Sequence, residues 1–199
     1  MKYFNSLPKV VYSDKNDVRT IYTNIMARAS VTPSVMKNIL VYYDYDIQEQ
    51  DTPEIIAHKY YGDINRFWMV LYCNQINDPL WDWPLNSSKF QKYVENKYPN
   101  TLDDVHHYEI IKTKSIQNSL IEPDVEKIVC SEEEYNQIIP NQTMSYTIGS
   151  EVVIIDITKR AVTNYEYELE LNESKRSIKI LNKEYAAQLE KEFVELMKS

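Results

Sequence analysis

The stretch from Tyr42 to Trp83 constrains the fold more than any other part of the chain, because consecutive local signals there dictate a fixed order of elements. Val41, Tyr43 and Tyr45 alternate with Tyr42, Asp44 and Asp46. That period of two predicts a strand with aromatics on one face and carboxylates on the other. Asp51-Thr52-Pro53-Glu54 predicts a helix start. An oxygen of Asp51 or Thr52 can accept an orphan backbone N–H, proline loses nothing in a first turn, and Glu54 complements the positive helix end. Ile56, Ala57 and Tyr60 fall on the inward face, and Gly62 closes the helix, because a residue without Cβ turns left-handed without strain. Asp63 caps a second helix, on which Ile64, Phe67, Trp68, Leu71 and Tyr72 recur at helical spacing as a wide apolar stripe. Asn74 to Pro79 ends it with turn residues, and an extended segment is expected at Leu80 to Leu85.

Strand, helix, helix and extended segment, in that order, resemble a LysM module, and the residues agree: Asp51-Thr52 at the helix start, Ile56-Ala57 and Tyr60 on it, and Asn74 after the second helix. A longer pattern is more specific. It runs Thr52-Pro53-Glu54, Ile56-Ala57, Tyr60-Tyr61-Gly62, then Phe67-Trp68, Val70-Leu71-Tyr72, Asn74, then Asn77-Asp78-Pro79 and Asp82-Trp83-Pro84-Leu85. This is similar to the baseplate wedge protein 53 family of contractile-tailed phages, over Val41 to about Asn100. The resemblance implies an α+β protein in which a βααβ LysM-like module at 39–85 is embedded between an N-terminal arm at 1–38 and a mixed α/β region at 86–199. The module core would be Ile56, Tyr60, Phe67, Trp68 and Leu71. It also implies a structural, non-enzymatic subunit that joins neighbouring wedge proteins by contact, made in the host cytoplasm and located in the tail baseplate of the virion. Partners would be other wedge proteins and the sheath-initiating tail protein.

Composition narrows the function classes. A formal charge of -8 and a pI near 5.0 oppose binding to a phosphate backbone, so nucleic acid is not an expected partner. No apolar run approaches the roughly 20 residues of a bilayer span, and the N-terminus lacks an apolar signal region, so neither membrane nor secretion is expected. The 17 Tyr against 2 Gly fit a contact-rich subunit, because tyrosine supplies area with a polar end; an A/T-rich coding sequence would give the same excess. So few glycines exclude a phosphate-cradling loop. No Gly-x-Ser-x-Gly elbow is present, and Glu132-Glu133-Glu134 reads as a solvated charge run. Cys73 and Cys130 read as free thiols, Cys73 beside the apolar stripe. His58, His106 and His107 lack metal-ligand spacing, and the adjacent pair is expected to point apart on any regular element. No catalytic residue, cofactor, metal or small-molecule substrate is therefore expected.

A LysM-like groove would lie between Gln48–Thr52 and Gln75–Leu80, where Asp51, Thr52, Asn74, Asn77 and Trp81 could meet a peptidoglycan or N-acetylglucosamine chain, or a partner. The competing expectation buries the indoles of Trp81 and Trp83. Elsewhere, Pro8 to Tyr12 reads as a short strand, Ser13 to Asp17 as a turn, and Val18 to Ala29 as a segment without period. Asn24, Ile25 and Arg28 fall near similar residues in wedge relatives, and the arm is expected to lie along a neighbour. Ser87 or Ser88 starts a helix to about Lys97; Tyr108–Ile111, Glu126–Val129 and Glu151–Ile157 predict a small sheet. Residues 165–171 alternate as a strand would, yet Thr163 and Glu166 have capping-box spacing and the resemblance favours a helix at 163–175. A strand at 178–181 and a helix at 183–197 follow. Leu181, Tyr185, Leu189, Phe193 and Leu196 draw an apolar stripe expected to dock in a partner's groove.

Overall fold

The computed structural model describes residues 3–27 and 41–198. In chain order the elements are α1 (Tyr3–Ser6), β1 (Lys9–Ser13), β2 (Arg19–Thr23), β3 (Tyr42–Asp46), α2 (Pro53–Tyr61), a 3-10 turn (Ile64–Arg66) and α3 (Phe67–Cys73). They continue with α4 (Ser87–Lys97), β4 (Val105–Ile116), β5 (Asp124–Cys130), α5 (Glu132–Gln137) and β6 (Gln142–Ile148). Last come β7 (Glu151–Thr163), α6 (Asn164–Ser174), β8 (Ser177–Leu181) and α7 (Lys183–Leu196). The class is α+β with antiparallel sheets. The chain forms two compact units, Met1–Ser87 with Asn172–Ser199, and Ser88–Leu171. The first is discontinuous, where the sequence suggested consecutive regions.

In the first unit, β3 pairs antiparallel with β8, from Tyr42 opposite Leu181 to Asp46 opposite Ser177. The extended segment expected at Leu80–Leu85 is not a strand; turns and bends occupy it. Local acceptors explain this. The Asp82 carboxylate takes the N–H groups of Asn77 and Asp78, and Asp78 takes those of Leu80, Trp81 and Asp82, so these donors are spent within the turn. The strand that completes the strand–helix–helix set comes instead from β8, on the far side of the second unit's sequence. Asn172 closes the place where the chain leaves and returns: its Oδ1 accepts the Leu85 N–H at 2.7 Å and its Nδ2 donates to the Leu85 carbonyl at 3.1 Å.

The Thr52 hydroxyl caps α2 by accepting the Ile55 N–H, Pro53 occupies the first turn, and Gly62 ends the helix at φ 71°. Ile56, Ala57 and Tyr61 point into a core completed by Trp68, Met69, Val70, Ile178, Ile180, Ala186 and Phe193. Tyr60 and Phe67 pack against it from half-buried positions, and Leu71 is half-buried. Trp68 lies 4.9 Å from the Phe193 ring and 5.6 Å from that of Tyr3, so aromatic side chains from both ends of the described chain meet at its centre. Cys73 is fully buried and burial pushes its thiol up to about 12, the setting of an inert core cysteine.

In the second unit, β5-β4-β7-β6 form a four-stranded sheet in which all three pairings are antiparallel. Residues 165–171 are helical. Thr163 and Glu166 exchange side-chain and backbone hydrogen bonds at the start of α6, and Glu168, otherwise an isolated buried carboxylate, receives Lys97 Nζ at 2.7 Å and the Tyr98 hydroxyl at 3.0 Å. The capping box thus overrides the alternating pattern. Phe90 and Val94 of α4 are buried, as the helical spacing predicts.

Candidate assembly interface

The N-terminal arm contains a β-hairpin. β1 pairs with β2 from Lys9 opposite Thr23 to Ser13 opposite Arg19, and Asp14 accepts the N–H groups of Asn16 and Val18 in the turn, where Asp17 takes φ 64°. The second strand falls in the segment that lacked a sequence period. Its β-branched and aromatic run, Thr20-Ile21-Tyr22-Thr23, beyond an Asp-rich turn was the available signal. The register puts Val10, Tyr12 and Tyr22 on one face, and Val11 and Ile21, flanked by Lys9 and Arg19, on the other. All five apolar residues are exposed, from 46% for Val10 to 69% for Ile21. Ile25 and Met26, just beyond, are exposed too, while Arg28 lies outside the described residues.

A second apolar surface belongs to the other unit. β6 is a sheet edge whose sequence, Gln142 to Ile148, contains no charge and no proline. Met144, Tyr146 and Ile148 share one face of it and are exposed. The opposite edge, β5, carries Asp124, Glu126 and Lys127, the usual guard against unwanted strand pairing.

The residues expected to line a groove are only partly brought together. A cavity of about 490 Å³ is lined by Asn74, Gln75, Ile76, Asn77, Asp82, Lys175, Ser177 and Ile178. Asn74 is consumed internally: its Nδ2 donates to the Val70 and Lys179 carbonyls and its Oδ1 accepts the Lys179 N–H, which ties the end of α3 to β8. Asp51 is buried, with the Tyr45 hydroxyl, Lys59 Nζ and the Gln48 N–H on its carboxylate. Burial alone would raise its pKa, but these donors outweigh it and hold it below the usual carboxylate range. Thr52 serves as helix cap. Trp81 is 66% exposed, against the expectation that it is buried, because the turn at 77–82 projects it outward; Trp83 is half-buried and donates its indole N–H to the Asp51 carbonyl.

The C-terminal stripe is mostly internal. Leu181 and Phe193 are buried in the unit's own core, and Leu189 packs against it. Tyr185 and Leu196 are the exposed members. The helix turns Ala186, Leu189, Phe193 and Met197 toward Trp68 and Tyr72, so the expected docking groove is supplied largely by this chain itself.

His106 and His107 do not point apart. Between Val105 and His107, β4 advances two residues while β7 advances one, so His106 is the extra residue of a bulge. Their Nδ1 atoms lie 2.8 Å apart, His106 stacks on Tyr167 at 3.9 Å, and His107 Nε2 meets the Glu109 carboxylate at 3.1 Å. Arg160 bridges Glu109 and Glu170. Burial by itself would raise the Glu109 carboxyl, but His107 and Arg160 more than offset it and its pKa is lowered. Among the described residues no group of three or more His, Cys, Asp or Glu could hold a metal ion, and no helix is long and apolar enough to cross a membrane.

No curated protein sequence matches this chain. A family model described as base plate wedge protein 53 matches residues 5–196, nearly its full length and both units. The chain therefore belongs to the phage base plate wedge protein 53 family, whose role is structural, in the baseplate of the virion tail.

Proposed function

We propose that this subunit joins neighbouring wedge proteins within a contractile-tail baseplate by protein–protein contacts, the N-terminal hairpin being its principal docking element. The observation that carries this reading is apolar exposure on both hairpin faces. An isolated two-stranded hairpin is marginal in water, and neither of its faces is covered by the chain's own described residues, so assembly is its natural cover. Lys9 and Arg19 beside Val11 and Ile21 suit a partner whose apolar patch is rimmed by carboxylates, as on another wedge protein or the sheath-initiating tail protein. The β6 edge offers a second contact, and a joining subunit needs at least two. The protein acts by shape and contact area, without catalysis. Val11→Asp with Ile21→Asp should abolish co-purification with the wedge proteins while leaving the melting curve in place; co-purification at the parent level would remove the hairpin from the joining role.

β3, α2, α3 and β8 support the reading of a LysM-like module in split form, its last strand supplied after the inserted second unit. Glycan binding is not favoured, since Asn74 and Asp51 are engaged internally and the Thr52 hydroxyl caps α2, which leaves Asn77 and Trp81 as the accessible members of the groove set without such a role. The purified chain is expected to stay in the supernatant with insoluble peptidoglycan; sedimentation abolished by Trp81→Ala would reinstate sugar recognition.

A further inference from the structure

We propose that the bulge at His106 forms a two-histidine chelate for a divalent transition metal of the Cu²⁺ or Ni²⁺ class. Adjacent residues on a regular strand face opposite sides of the sheet, so their side chains cannot share a ligand. Here the register shift puts both imidazoles on one side with Nδ1 atoms 2.8 Å apart. The proton arrangement follows from the partners. Glu109 accepts from His107 Nε2, which fixes the proton there and leaves the Nδ1 lone pair of His107 aimed at His106. In the metal-free chain His106 Nδ1–H donates to that lone pair. When His106 carries its proton on Nε2 instead, two lone pairs face the same small space and a cation takes the place of the shared proton.

The second requirement is support around the ligands. A carboxylate hydrogen-bonded to the far nitrogen of a histidine is the usual outer partner of a metal-bound imidazole, and Glu109 occupies that position, itself held by Arg160 at 2.9 Å. Tyr167 stacks on His106 with rings 10° from parallel in the metal-free chain, a contact the ring gives up in part as it turns toward the ion. Bringing both lone pairs onto one ion takes ring rotations of roughly 40° about the soft terminal torsion of histidine. Where the turned rings keep their nitrogens at the metal-free separation of 2.8 Å, bonds of about 2.0 Å subtend about 90° at the metal. That bite suits adjacent positions of a tetragonal or octahedral ion better than the wider tetrahedral angle of Zn²⁺, and imidazole nitrogen places Cu²⁺ first in affinity. Water would fill the remaining positions, because no third protein ligand is grouped with the pair among the described residues.

The test is titration of the full, tag-free chain with CuCl₂ and NiCl₂, read by calorimetry and, for Cu²⁺, by nitrogen superhyperfine structure in the EPR spectrum. One equivalent of Cu²⁺ coordinated by two imidazole nitrogens is expected, with Ni²⁺ weaker and Zn²⁺ weaker again. His106→Phe keeps the ring on Tyr167 and should weaken Cu²⁺ binding at least ~100-fold, Glu109→Gln about 10-fold by removing the carboxylate that holds His107 Nε2, and His58→Ala not at all. The melting curve of His106→Phe without metal serves as the fold control. Absence of stoichiometric Cu²⁺ binding, or its persistence in folded His106→Phe, overturns the proposal. Loss of binding in His58→Ala does the same, since it would place the metal elsewhere.

Discussion

The two units are stabilised in different ways. The first gathers Ile56, Ala57, Trp68, Met69, Val70, Ile178, Ile180, Ala186 and Phe193 into one core from segments more than a hundred residues apart in sequence. In the second, only Phe90, Val94, Val153 and Val162 of the described hydrophobic residues are buried, although its sheet has four strands. Its buried carboxylates are instead paired, Glu109 with Arg160 and Glu168 with Lys97, and Glu109 also accepts a hydrogen bond from His107. Burial of apolar area is the dominant favourable term in folding, whereas partly exposed ion pairs contribute little. The first unit is therefore expected to carry most of the chain's stability, and the second to gain more from being covered in an assembly.

Removal of α7 tests this difference in stability most directly. A chain ending at Asn182 loses Ala186, Phe193 and Met197 from the core, so it should lose the cooperative transition of the first unit outright. Tryptophan fluorescence reports this cleanly, because Trp68, Trp81 and Trp83 all belong to that unit. A truncated chain that still melts cooperatively by this signal would return α7 to a docking role. Phe193→Ala should cost on the order of 3–5 kcal/mol by leaving a cavity among aromatics. Val153→Ala in the second unit's sheet should cost only about 1.5–2.5 kcal/mol, at roughly 0.8 kcal/mol per methyl group. Equal costs would show the second core to be as tightly packed as the first.

Acid sharpens the contrast further. The Asp51 carboxyl in the first unit is held below its ordinary value, so its contribution is present in full above the unfolded value, about 3.9, and is lost as pH falls through the lower folded value. Glu109 and Glu170 behave the same way in the second unit. Stability should be level from neutrality to about pH 5 and fall below pH 4, and Asp51→Asn should flatten the fall seen by tryptophan fluorescence. If the acid limb is unchanged in that variant, the Asp51 cluster is not what acid breaks. The smallest effect on stability is expected at the hairpin, where Val11→Asp with Ile21→Asp should change unfolding by less than about 0.5 kcal/mol per site, as surface substitutions do. A larger loss would mean that the hairpin packs on its own unit.

Local chemistry made much of this legible. The start and end of α2 followed from Thr52, Pro53 and Gly62 and the strand character of 151–157 from its β-branched run, whereas the helical state of 164–174 followed from the family resemblance together with the Thr163–Glu166 spacing, against an alternation that spells a strand. The inward positions Ile56 and Trp68 followed from helical spacing. The candidate site was read less well. The groove residues Asn74 and Asp51 looked like sugar contacts because a free amide and a buried acceptor have the same spelling in sequence; only their partners, Lys179 and Lys59, distinguish them. The hairpin's second strand was hidden because both its faces are exposed, so no alternation marks it. The histidine pair was missed because a bulge is a property of two strands in register.

Short-range signals were enough to read the elements whose cues lie within a few residues: caps, turns, apolar spacing, and the family pattern between Val41 and Asn100. Tertiary structure decided which strand completes β3, which side of α7 is covered, and where His106 points. Each of these depends on groups brought together across a long stretch of chain. A local signal records the preference of a segment, but a pairing partner is chosen by the combined burial and hydrogen bonding of both segments, and those energies exist only after the chain has closed on itself.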